Sequence, residues 1–165
     1  MRKWIATFVA TAALFVTQSM PAPAQDLGAQ LVGMWKYVSL TQTETASGKV
    51  TKPFGDNPRG YLIYTKGGRF VWALFSDNRQ KPGMPVTDAD RANLFTTLSA
   101  GSGTYKVEGN TLTATYDTSW HELWTGTTQK RKIEISGNKL TSSAEPTTSG
   151  SGAQIIFVQV LERVE

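Results

Sequence analysis

The chain has 165 residues, one histidine, no cysteine and a formal charge of +4, a length that fits about one domain. Without cysteine, disulfides, thiolate nucleophiles, iron–sulfur clusters and Cys/His zinc sites are excluded, and a lone His121 leaves little for transition-metal chemistry. The positive balance is too weak and too scattered to call for a nucleic-acid partner.

Arg2 and Lys3 precede an apolar run from Trp4 to Val16, and Ala22-Pro23-Ala24 places small residues where a signal peptidase reads them. Residues 1–24 therefore read as a secretory signal peptide and 25–165 as the mature domain. The apolar run is shorter than the roughly 20 residues a helix needs to span a bilayer. No cysteine follows it to carry a lipid. The expectation is a periplasmic or secreted protein with no membrane insertion after signal cleavage. An oxidising compartment permits disulfides; with none available, stability must come from the core.

Beyond the leader, short stretches of β-branched and aromatic residues alternate with Gly, Asn, Asp or Pro, which predicts strands. In chain order they run Leu31 to Thr41, Gly60 to Thr65, Arg69 to Ser76, Gly103 to Glu108, Thr111 to Trp120, Thr127 to Ser136, Lys139 to Ala144 and Ile155 to Arg163. Lys66-Gly67-Gly68, Glu108-Gly109-Asn110 and Ser136-Gly137-Asn138 are compact, glycine-bearing joints for antiparallel neighbours. One interval, Pro82 to Ala100, lacks alternation, and Thr87 or Asp88 caps a helix there between the third and fourth strands. That helix is a lid or a permanent plug for one mouth. The Ser/Gly/Thr stretch Thr147 to Gly152 reads as a plain loop. The fold class is thus all-β: an eight-stranded antiparallel up-and-down barrel with one short helix, preferred over a two-sheet sandwich because the connections are short.

Gly33-Met34-Trp35 opens the first strand and Arg163 lies near the end of the last. Together with "PFGDNPRGYLIYTKGGRF", "SGTYKVEGNTLT", "SWHELWTGTTQKRKIEISGNKLT" and the closing "LERV", they resemble the lipocalin-like domain family over most of Leu31 to Val164. The resemblance implies a barrel closed at one end by Gly33, Trp35 and Arg163, the guanidinium packing over the indole as a cation–aromatic contact. Histidine, which many members carry early in the strand that holds Ala114 and Thr115 here, is absent from it. Histidine chemistry does not carry over.

No catalytic constellation stands out. His121 is followed four residues later by Thr125, not a second histidine, so the zincin pattern fails, and Asp117, His121 and Glu122 would make a weak, unselective metal site. Asp117, Ser119 and His121 share strand parity, but this row faces solvent if Tyr116 and Trp120 face inward. The strand with Gln129, Arg131, Ile133 and Ile135 on one face should turn its isoleucines, and with them Gln129 and Arg131, to the interior. An interior guanidinium needs a partner. It is either held in an internal salt bridge or hydrogen-bond network, or it anchors a ligand carboxylate with its bidentate fork. Tyr61, Tyr64, Phe70, Trp72, Tyr116 and Trp120, with Gln129 and Arg131, are the candidate ligand-binding residues.

These features point to an exported barrel that binds a small hydrophobic or amphipathic molecule, one that could carry a carboxylate, with no metal or other cofactor required. Two other readings use the same frame. One is a cofactor-free isomerase or cyclase that folds a reactive apolar substrate in the cavity. The other is a cell-envelope structural or interaction module whose barrel is filled by its own side chains.

Overall fold

A computed structural model describes residues 26–149 and 152–164. The leader lies outside them. Strands β1 (Gly33–Glu44), β3 (Arg59–Tyr64), β4 (Arg69–Phe75), β5 (Leu98–Glu108), β6 (Thr111–Ser119), β7 (Thr128–Ser136), β8 (Lys139–Ala144) and β10 (Gln154–Arg163) follow one another around a single antiparallel sheet. Pairing of β1 with β10, from Trp35 opposite Arg163 to Glu44 opposite Ile155, closes that sheet into an eight-stranded barrel. Two-residue strands β2 (Val50–Thr51) and β9 (Thr147–Thr148) pair antiparallel with Gln42 and Thr43 of β1 and with Gln154 and Ile155 of β10. Closure leaves no unpaired barrel edge to template aggregation.

The two ends are unlike. At the closed end a one-turn helix, α1 (Leu27–Leu31), lies across the barrel, its N-terminus capped by the Asp26 carboxylate accepting from the Gly28 and Ala29 amides. Its last carbonyls would otherwise be orphaned. Instead the Trp35 indole donates to the Leu31 carbonyl at 2.8 Å, and Arg163 donates to the carbonyls of Val32, at 2.9 Å, and Gln30. The same guanidinium lies 4.2 Å from the centre of the fully buried Trp35 ring. Helix α1, β1 and β10 are thereby tied at one point.

Inside, alternation along each strand brings Tyr37, Leu62, Tyr64, Phe70, Trp72, Leu112, Tyr116, Ile133, Leu140 and Leu161 into one core. Eight strands leave an interior just wide enough to be filled, so room for an indole must be made elsewhere. Strand β5 makes it. A Cβ at Gly101 would lie 2.4 Å from the Trp72 ring, and one at Gly103 would lie 2.8 Å from the Phe70 ring and 2.1 Å from the Thr115 carbonyl. This also explains why β5 starts at Leu98, five residues before its sequence-based start at Gly103. Its opening Leu98-Ser99-Ala100-Gly101-Ser102 is small and polar and lacks the β-branched signature, because it serves as the recess for its neighbour's large rings. The Trp72 indole donates to Ser99 Oγ at 2.9 Å in that recess.

Helix α2 (Asp88–Thr96) sits between β4 and β5 as expected, opened by a capping box in which the Thr87 hydroxyl accepts from the Asp90 amide and the Asp90 carboxylate accepts from the Thr87 amide. Arg79 donates to the Leu94 carbonyl and Thr97 Oγ1, fixing its end. The expectation of a plug is corrected: no residue of α2 is buried, since its sequence carries too few apolar residues to form a core face. The expected loop from Thr147 is corrected too, because Thr147 and Thr148 pair with Ile155 and Gln154. A 3-10 turn at Glu122–Trp124 follows β6. Among the described residues, no helix is long and apolar enough to cross a membrane.

Burial pushes the phenols of Tyr37 and Tyr64 far above the ordinary tyrosine range, and Arg131 only partly opposes the shift. An acid whose folded-state pKa is raised stabilises the fold fully below its unfolded value, here about 10, and loses that contribution as pH rises above it. In an alkaline titration the phenolate absorbance of these two residues should appear only together with loss of the β-sheet circular dichroism. The double variant Tyr37→Phe/Tyr64→Phe should shift the alkaline unfolding midpoint upward. At the closed end, Arg163→Ala should cost about 3 kcal/mol in urea unfolding, from the lost ring contact and two charge-assisted hydrogen bonds. Arg163→Lys, which keeps the charge but not the fork, should recover less than half of that.

Candidate functional site

With the closed end filled by Leu31 and Trp35, free volume collects at the opposite end, where β1, β6, β7 and β10 rise past the core. Two adjoining chambers lie there. The inner one, about 210 Å³, is walled by Leu40, Leu62, Phe70, Trp72, Leu74 and Phe54, with Ser99 and Gln159 as polar points. The outer one, about 600 Å³, is mixed in character and opens between the 3-10 turn, the start of β7 and the β8–β9 corner. Gln42, Trp120, Trp124, Arg131 and Phe157 line both, so they stand where an apolar chamber meets a mixed one.

Arg131 is held there by register. It lies opposite Leu112 on β6 and Ala144 on β8, two residues from the buried Ile133, so its side chain turns inward as the alternation of β7 predicts. Its Nη2 donates to Gln129 Oε1 at 3.4 Å, an oxygen that also accepts from the Tyr116 hydroxyl at 3.1 Å. Its Nη1 is buried and has no hydrogen-bond partner among the described residues. The ion pairs among those residues join Lys52 to Asp56, Arg69 to Asp117 and Arg91 to Asp88, all on the surface. Of the internal partners expected for it, a salt bridge is absent among the described residues, and the hydrogen-bond network is the chain from Arg131 through Gln129 to Tyr116.

The wall facing Arg131 is aromatic. Trp120 and Trp124 meet edge to face at 4.9 Å, and His121 lies 5.7 Å from Trp120 and 6.5 Å from Trp124. Phe95 of α2 reaches the same cluster, 6.4 Å from Trp120 and 6.2 Å from His121. Backbone hydrogen bonds fix this segment: the Trp120 amide to the Ala100 carbonyl, the Trp124 amide to the His121 carbonyl, and the Gly126 amide to the Tyr116 carbonyl. Trp120 Nε1 and His121 Nδ1 are buried without a partner among the described residues.

Of the candidate binding residues, Phe70 and Trp72 line the inner chamber, Gln129 the outer, and Trp120 and Arg131 both. Tyr61 is a correction. It is 46% exposed on the outside of the barrel, because the inward positions of β3 are Leu62 and Tyr64. Tyr64 is buried toward the closed half, against Phe70 and Tyr105, and lines neither chamber. Tyr116 stands behind the wall, its ring edge-on to Phe70 and Trp72. The row Asp117, Ser119 and His121 does not assemble. Asp117 accepts from Ser102 Oγ at 2.7 Å and from Arg69 at 2.5 Å, which hold its carboxyl below the usual carboxylate range. Among the described residues no three His, Asp or Glu side chains converge as metal ligands would. Gln42, Phe157 and Gln159 line the chambers without having been singled out. Their signal was present in β10, where Phe157, Gln159, Leu161 and Arg163 share one face, and in β1, where Leu40 and Gln42 do.

A model of the lipocalin-like domain matches residues 32–163. Among solved structures, a lipocalin-like protein from Bacteroides uniformis aligns at 15% identity over 81% of this chain and 97% of its own, with a TM-score of 0.42. The odorant-binding protein from bovine nasal mucosa aligns at 16% identity over 88% of this chain and 78% of its own, with a TM-score of 0.44. No curated protein matches the chain. With the domain match spanning nearly all of the barrel, from the residue before Gly33 to Arg163, the chain belongs to the lipocalin-like domain family.

Proposed function

We propose that the protein binds a small amphipathic molecule inside its barrel, the apolar body in the inner chamber and an acidic head, most simply a carboxylate, at Arg131. The observation that carries this reading is an inward guanidinium at the edge of an apolar chamber, with a buried N–H that no group among the described residues accepts. A cation removed from water costs several kcal/mol unless it is paired, and a ligand anion is the partner the geometry leaves room for. The volume is of the right order. Ligand pockets run from about 300 to 1,000 Å³, and the outer chamber falls within that range. The inner chamber alone suits a body of about ten heavy atoms at interior packing density.

The leader pattern at 1–24 supports an exported protein, so the ligand would be met in the periplasm or outside the cell. Bovine odorant-binding protein, one of the solved structures that align with this chain, has been crystallised with a selenium-containing odorant.

The decisive measurement is tryptophan fluorescence on titration with decanoate and decan-1-ol, which share a body and differ in the head. Both should quench Trp72, Trp120 and Trp124, with decanoate the tighter. Arg131→Gln should weaken decanoate about tenfold or more, leave decan-1-ol unchanged and move the melting temperature little. Equal loss of both ligands with a large drop in melting temperature would assign Arg131 to the fold instead. For export, amino-terminal sequencing of the protein recovered from the cell envelope or medium should read from Gln25; an intact Met1 in the cytoplasm would overturn it.

A further inference from the structure

We infer that the outer chamber is a three-donor receptor for a monoanionic head group with three acceptor oxygens, with Trp120 and His121 as its specificity-determining residues beside Arg131. This rests on the reading of the barrel as a binding site and names the chemistry it selects.

Three buried nitrogens have no hydrogen-bond partner among the described residues: Trp120 Nε1, His121 Nδ1 and Arg131 Nη1. All three side chains line the outer chamber. Native interiors leave few buried polar atoms unpaired, and each costs free energy if it stays so. Three at one chamber are a cluster, not scattered lapses. The indole N–H can only donate, a guanidinium can only donate, and the imidazole Nδ1 donates when it carries the ring proton. The complement is a group rich in acceptors and free of donors.

A neutral alcohol supplies one such oxygen and a simple carboxylate two. A sulfonate, a sulfate ester, or a carboxylate with an adjacent carbonyl supplies three. Charge narrows the class further. Lys130 and Glu145 also line the outer chamber and offset one another, which leaves the single positive charge of Arg131 to be matched. A monoanion fits this balance; a dianionic phosphate monoester would leave one charge uncompensated.

The donors come from two elements of the chamber's lining. Arg131 projects from the paired β7, and Trp120 and His121 from the turn after β6, whose amides are bonded to Ala100, Ser119 and Tyr116 as fixed points. A site held in this way before the ligand arrives loses little ordering entropy on binding.

The test uses three probes with the same ten-carbon ring system: 2-naphthol, 2-naphthoate and naphthalene-2-sulfonate, titrated calorimetrically into the full-length mature protein. Affinity should rise in that order, the sulfonate binding about tenfold tighter than the naphthoate. Trp120→Phe and His121→Phe keep a ring in the aromatic cluster and remove the N–H. Each should lower sulfonate affinity about tenfold and leave 2-naphthol unchanged. If the sulfonate binds no tighter than the naphthoate, or if the two variants lose naphthol and sulfonate in equal proportion, the three-donor receptor is overturned while binding in the barrel stands. If no probe binds, the binding reading falls and the receptor with it.

Discussion

Everything in this barrel is arranged by the closure of β1 on β10 and by the guanidinium that locks it. Arg163 covers the Trp35 ring and collects the carbonyls at the end of α1, so the first and last strands are fixed at the same end by one residue. The consequence is polarity along the barrel axis. Leu31, Trp35, Leu140 and Leu161, all essentially without solvent exposure, fill the closed half, and whatever volume the eight strands enclose is displaced to the other. The cavity is thus a product of asymmetric filling. A barrel of this strand number has little interior to spare, and spending large side chains at one end is what leaves an opening at the other.

The strands at the open end are built to keep that volume. Gly101 and Gly103 lie beneath Trp72 and Phe70, so the rings lie back against β5 instead of crossing the barrel. Ala114 and Ser142 are buried and small on the same inner surface. Helix α2 touches the mouth through Phe95 but buries nothing, which separates it from a plug: a helix that filled the barrel would need an apolar stripe it does not have. At this end the lining side chains leave the two chambers open between them.

The course of the chain was legible where alternation is strict, and lost where it slips. In β7, Gln129 and Arg131 share a face with Ile133 and Ile135, and parity alone turned the guanidinium inward. Strands β8 and β10 were equally readable, and the joint of Trp35 and Arg163 followed from the family resemblance. Two register shifts break the rule. The pairing of β1 with β10 slips between Tyr37 and Ser39, so Leu40 and Gln42 stay inward, and that of β5 with β6 slips between Ser102 and Gly103, where Asp117 is the extra residue on β6. Nothing local to Val38 or Asp117 announces a bulge. Tyr61 was misplaced for a simpler reason: "GYLIY" is apolar on both faces, and which face is interior is decided by the partners of Leu62 and Tyr64 across the barrel.

The bulge at Asp117 also bears on the site. An extra residue bends its strand and increases the local twist, and Asp117 is anchored outside by Ser102 and Arg69. Beyond it Ser119 stays paired with Gly101 and the Trp120 amide donates to the Ala100 carbonyl, while the register with β7 ends at Thr115, so the segment that leads to Trp120, His121 and Trp124 parts from β7 and keeps to β5. The surface ion pair of Arg69 with Asp117 is worth little as stability, being exposed, and it keeps the extra residue on the outer face. The register of the segment that leads to Trp120 and His121 is thus shifted by one residue at Asp117, which does not face the cavity, and this is the part of the site that strand parity alone could not supply.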